Sequence, residues 1–186
     1  MGFVVPALVT ALGIFLGVFY PRAPTWQITS MKYKSVSANL DLTADVKIDM
    51  GLEVFNPNYV SATLNSIQMV LFHDDLSGRE AAFGVISVPG GGGVELPARG
   101  SRIVDSQLLV DDMPMSMGIQ MGREVQRNNG TLVSHSFATM HVTVLSRPIS
   151  IEADCVQHMR ADLFPIKITK IDCKYYFKKV WVPMLP

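Results

Sequence analysis

The sequence has no excess of charge of either sign. Lys and Arg number 16 and Asp and Glu number 16. No global field therefore favours nucleic acid, and the basic surplus of a nucleic-acid binder is missing. Charged residues make up only 17% of the chain, while hydrophobic residues make up 48%. That balance fits a membrane segment or an extensive buried interface. Cysteine is scarce. Cys155 and Cys173 are the two present, and their spacing matches no zinc pattern. Each lies on the apolar parity of a strand-like run. Two readings stand open: a pair of buried thiols, or one disulfide between neighbouring strands in an oxidising compartment.

Catalytic constellations are missing too. There is no G-x-S-x-G elbow, no H-E-x-x-H and no Cys-His nucleophilic pair. His135 and His141 share a strand parity but lie about 20 Å apart along the strand, too far to ligate one metal. Asp41, Asp45 and Asp49 are spread along a polar strand side, which reads as a solvated face. No catalytic, metal or cofactor residue is expected, and the chain reads as a non-enzyme.

What is present starts with Val46–Asn58, VKIDMGLEVFNPN. Val46, Ile48, Met50, Leu52 and Val54 alternate with polar or small residues, which predicts a half-buried strand. Asn56-Pro57-Asn58 must end it, because proline removes a ladder donor and asparagine tolerates turn geometry. Similar patterning predicts strands over Thr25–Ala38, with Leu40, Leu42 and Ala44 running on into the Val46 strand. Further strands fall over Ser61–His73, Ala81–Val88, Ser101–Val110, Thr131–Leu145, Ile149–Cys155 and Ile166–Phe177. Asp74–Gly78 reads as a hairpin turn and Gly90–Gly93 as a flexible loop. One short helix is expected within Asp111–Arg127. Asp111 or Asp112 would cap it, and Met113, Met117 and Met121 would form its core-facing stripe. The fold class is all-β, an antiparallel two-sheet sandwich over 25–177 with one short helix.

The N-terminal segment 1–24 begins with an uncharged run, Phe3–Tyr20. A helix of about 18 residues covers roughly 27 Å, enough to cross a hydrocarbon core. A cleaved secretory segment is the alternative, but the run is long and has no basic residue before it. Gly13 and Gly17 form a G-x-x-x-G face on which a neighbouring helix could pack. The C-terminal tail 178–186 mixes Lys178, Lys179 and Trp181, close after Tyr176, and reads as an interface tail. The alternative is that it completes the last strand and covers its own sandwich. Asn129-Gly130-Thr131 is an N-x-T sequon in a predicted exposed turn.

The order of these pieces resembles the late embryogenesis abundant group 2 family, also called the water-stress and hypersensitive-response domain. A span leads into a Pro-rich juncture and a Trp/Ile strand (Pro21–Ile28). A long strand then ends in N-P-N (Asn56–Asn58). An Ile/Leu strand (Ser66–Phe72) and a Gly-rich loop follow. The likeness covers most of Pro21–Phe177. It implies a β-sandwich with one helix, no catalytic residues and, often, single-pass anchoring. The expected function is a non-catalytic membrane protein docking as an accessory subunit among the protein subunits of a larger membrane assembly. The alternative is a tethered module that binds membrane lipid or another apolar ligand. An organelle inner membrane is favoured over the secretory or plasma membrane, because a short uncharged N-terminus suits a small accessory subunit.

Overall fold

The structure is a computed structural model that describes residues 22–88, 93–160 and 167–178. The expected span with Gly13 and Gly17, and the tail residues Lys179 and Trp181, lie outside the described residues. Among the described residues no helix is long and apolar enough to cross a membrane.

Among the described residues nine strands and one helix follow one another as β1 (Thr25–Ala38), β2 (Thr43–Phe55), β3 (Ala62–Asp74), β4 (Glu80–Val88), β5 (Val94–Leu96), β6 (Ser101–Pro114), α1 (Met115–Arg127), β7 (Thr131–Val144), β8 (Arg147–Arg160) and β9 (Lys167–Lys178). Every strand pairing is antiparallel. The order is β1-β2-β6-β4-β3-β7-β8-β9, with β5 paired to β3.

This corrects the expectation of two facing sheets. The strands form one continuous sheet that curls into a half-barrel. Its two halves meet where β4 pairs β6 over only Val85–Ser87. Gly84 permits that crossing, since a Cβ there would sit 3.1 Å from Leu108 Cδ1 and 3.2 Å from the Leu109 carbonyl. The curl brings the opposite edge strands together. Trp26 of β1 meets Tyr175 of β9 edge-on, with ring centroids 5.7 Å apart.

Alternation explains the core. Ile48, Met50, Leu52 and Val54 of β2 are buried as the period-2 pattern requires, and Val46 is partly buried. Inward residues of β3, β6, β7 and β8 join them in one cluster. Each fully buried aliphatic side chain contributes about 1.5–3 kcal/mol through removal of its surface from water.

Local chemistry corrects several boundaries. Leu40 and Leu42 do not extend β2. They sit in an exposed turn where Leu42 has φ 65° and Asp41 accepts from the Thr43 amide and hydroxyl. Asp111 and Asp112 do not cap the helix. They belong to β6, whose ladder with β2 continues to Pro114, and Pro114 occupies the cap position without a side-chain hydrogen bond. Met113 is therefore a strand residue, while Met117 is the buried helix anchor. Leu145 and Ser146, with φ 49° and 64°, form a two-residue hairpin of the kind whose twist suits antiparallel strands. Arg147 and Pro148 start β8 rather than separate it from β7. Pro148 is tolerated because it stands at the start of β8, where a missing ladder donor costs little.

Candidate functional site

The half-barrel has two ends. At one, the chain enters β1 through Arg22 and leaves β9 at Lys178. This near pole also carries the turns 56–61, 97–100 and 145–146. The far pole carries α1 and the turns 39–42, 75–79 and 128–130.

Asn56 and Asn58 organise the near pole. Pro57 ends β2, and Asn56, fully buried, turns its side chain under the loop. Its amide donates to the carbonyls of Val60 (2.9 Å), Leu96 (3.3 Å) and Pro97 (3.2 Å). Its oxygen accepts from the Asn58 backbone and side-chain amides, both at 3.0 Å. Asn58 then clamps the entering chain: the Arg22 amide donates to Asn58 Oδ1 at 2.7 Å, and Asn58 Nδ2 donates to the Arg22 carbonyl at 2.9 Å. Backbone bonds from Asn56 to Gly100 (2.8 Å) and from Arg99 to Asn58 (2.9 Å) complete the knot. Buried amides of this kind are stable only when fully paired, and here they tie three chain segments into one surface.

Beside this knot, a concavity of 290 Å³ opens between Trp26, Gln27, Glu53, Phe55 and Ser101. Its carboxylate is already engaged. Ser101 Oγ and Gln27 Nε2 each donate to Glu53 at 2.6 Å, and these bonds, led by that of Ser101, hold the carboxyl below its ordinary pKa. A larger concavity of 430 Å³ runs over the outer face of β1, β2 and β6. Gln107 donates to Asp49 there at 2.7 Å, and Lys34 lies 3.6 Å away. Asp45 is a structural acceptor, taking the Asp112 amide at 2.8 Å.

At the far pole a 480 Å³ concavity includes His73, Glu124, Glu80 and His135. His73 is buried and its Nε2 lies 3.5 Å from Glu124 Oε2, close enough for an ion pair but not aligned as a hydrogen bond. His135 lies 3.6 Å from Glu80. His73 shares the inward parity of Leu71, whereas His135 is exposed on the outer parity. The two pairs therefore occupy different faces. Among the described residues no group of three or more His, Cys, Asp and Glu is arranged to hold a metal ion.

Cys155 and Cys173 are directly opposite on β8 and β9, with Cα atoms 4.1 Å apart, and are joined in a disulfide. Cys155 faces the core. Tyr176 is exposed while its neighbour Tyr175 is half-buried against Trp26, so alternation splits the aromatic run at the start of the tail between two faces. Lys178 ends β9. Asn129 lies in the exposed turn after α1, with φ 51°. Sequence reasoning found the N-P-N turn but not its clamp. The Leu96 and Pro97 partners of Asn56 lie 40 and 41 residues away and the Arg22 partner of Asn58 lies 36 away, where no local pattern points.

No family model matches the chain, and no curated protein matches it. Solved structures do. A structural-genomics target is similar at 11% identity and TM-score 0.42, covering 81% of this chain and 84% of that one. The ApaA protein from Bordetella pertussis is similar at 12% identity and TM-score 0.40, covering 71% and 89%. A structure described as a late embryogenesis abundant protein is similar at 12% identity and TM-score 0.32, covering 94% and 83%.

Proposed function

We propose that the chain is a non-catalytic, single-pass membrane protein of the late embryogenesis abundant group 2 type. Its half-barrel docks as an accessory subunit in a larger membrane assembly. One observation carries this reading. The strand that follows the apolar Phe3–Tyr20 run and the strand that precedes the aromatic, basic tail meet at one pole, through Trp26 and Tyr175. Asn58 fixes the backbone of Arg22 where the chain enters. The two candidate docking segments, the Gly13/Gly17 helix face and the Lys178–Pro186 tail, thus start from the same rigid surface. In lipid, helix association rests on close packing, so a glycine face has value only when a neighbour fills it.

The filled interior supports docking over lipid storage. The inward residues of both halves pack into one cluster with Leu52, Leu64, Ile67, Leu96 and Met140 essentially inaccessible. A lipid-binding module would need an open apolar groove there. The Cys155–Cys173 bond supports a domain facing an oxidising compartment, which argues against the matrix or stromal side of an organelle inner membrane.

The test is truncation after Phe177 combined with Gly13→Leu and Gly17→Leu. The altered chain is expected to stay in the membrane after alkaline carbonate treatment but to leave its assembly on native electrophoresis. Full retention of the altered chain in the same assembly would remove the docking model.

A further inference from the structure

The neutral sequence hides a pole with a basic excess. The near pole gathers Arg22, Arg99, Arg102 and Arg147 in or beside its turns, with Glu95 as a neighbouring acid. Glu53, at the end of β2, accepts from Ser101 and Gln27, keeps its negative charge and is the second acid of this pole, which leaves the four arginines in excess. The far pole mixes both signs, with Asp74, Asp75, Glu80, Asp111, Asp112 and Glu124 set against Arg79, Arg123, Arg127 and Arg160 in its turns, strand ends and helix. Arg22, Arg99, Arg102 and Arg147 are all exposed, and none has an ion-pair partner among the described residues. The basic crown also exposes apolar surface. Leu145 at the hairpin tip is 77% exposed and Tyr59 is 50% exposed. Arg99 lies over the Tyr59 ring, 4.4 Å from its centroid, which holds guanidinium and phenol side by side.

We propose that this near-pole crown rests on anionic phospholipid, with the arginines on headgroup phosphates and Tyr59 and Leu145 in the headgroup layer. The inference deepens the membrane reading above by naming the surface that faces the bilayer. Three observations select lipid as the occupant. The charge is complementary to phosphate. The apolar Phe3–Tyr20 run immediately precedes Arg22, whose backbone Asn58 holds at this pole. The exposed tyrosine and leucine have the amphipathic character that suits the headgroup zone. Guanidinium groups pair with phosphate through two parallel N–H donors, which lysine cannot reproduce. Each basic residue near an anionic surface strengthens the attraction about fivefold.

The experiment places the full chain in nanodiscs of phosphatidylcholine alone or of phosphatidylcholine with phosphatidylglycerol, and follows amide hydrogen exchange. The crown turns 57–60, 98–102 and 145–147 are expected to exchange several-fold more slowly in the anionic discs. High salt should abolish the difference, a test that needs no variant. Arg99→Gln, Arg102→Gln and Arg147→Gln together should also abolish it, a loss of about 100-fold in attraction. The far-pole turns 39–42 and 128–130 should exchange alike in both discs. Equal exchange of the crown in the two lipids overturns the proposal. Slow exchange in both means that another protein surface, such as a second copy of the chain, covers the crown, and overturns it as well. If the chain fails to enter nanodiscs, the anchoring reading fails separately, and flotation of the same chain with preformed vesicles decides the crown. Flotation with phosphatidylglycerol vesicles but not with phosphatidylcholine supports it, and no flotation overturns it.

Discussion

Replacing Asn56 with alanine removes the knot of the near pole while leaving the apolar core untouched. The side chain has no exposed surface and takes part in five hydrogen-bond contacts. An amide has two N–H donors, so the three carbonyl contacts share two bonds, and the oxygen accepts two more. A net value of about 1 kcal/mol per bond gives roughly 4 kcal/mol. Some contacts are only part-buried, so water re-satisfies a fraction of the stranded groups, and an expected loss of about 3 kcal/mol remains. For a domain of this size that lowers the melting temperature by roughly 6–12 °C. The assay is thermal and urea unfolding of the full chain in detergent, with the disulfide intact in both proteins. Asn56→Asp should cost more, because a carboxylate would face three carbonyl oxygens without a donor. A loss below about 1 kcal/mol, the size expected for an exposed asparagine, would refute the clamp.

Other perturbations probe other parts of the account. Gly51→Ala should destabilise by about 1–3 kcal/mol. Its Cβ would lie 2.6 Å from Ser30 Oγ and 2.9 Å from Thr29 Oγ1, both of which are held by bonds to the Gly51 backbone; unchanged unfolding would show that β1 yields freely at its register shift between Ile28 and Ser30. Replacing Cys155 and Cys173 together with alanine should cost about 3 kcal/mol for a loop of this length, checked by urea unfolding against the oxidised protein. Asp45, Asp49, Glu53 and Asp75 are all held below the ordinary carboxylate range, chiefly by hydrogen bonds from the Asp112 amide, Gln107, Ser101 and Ser77 respectively. Their folded pKa values are depressed, so their contribution is present above the unfolded values and is lost as pH falls through the folded ones. Unfolding midpoints should therefore be steady from neutral to about pH 5 and fall below about pH 4, whereas a maximum at acid pH would reverse the sign.

How much of this was legible follows from where the partners lie. The β2 face could be read because alternation is local, and Ile48, Met50, Leu52 and Val54 occupy the core as written. The hairpin of β3 and β4 was equally legible, since Asp75 closes its own turn onto Ser77 and Arg79. Leu40 and Leu42 misled because they keep the strand period. The competing Asp41 turn wins over their apolarity. The helix start misled because Asp111 and Asp112 resemble caps, while the ladder to β2 overrides that preference and carries the strand to Pro114. The three-residue β5 is too short to pattern and exists through its pairing with Ala62–Leu64. The single sheet was hidden because its continuity depends on three residue pairs between β4 and β6, distant in sequence. The basic crown was hidden for the same reason. Its arginines lie in separate turns far apart in sequence, and a whole-chain charge sum of zero averages them away.

Docking is tested most directly by the mass of the native species. The full chain would be purified from its own membrane in mild detergent, and its intact mass and co-eluting components measured by native mass spectrometry. Docking requires a species several times heavier than one chain, with the same integral partner subunits in fixed ratio across preparations. A single chain carrying only lipid would contradict it.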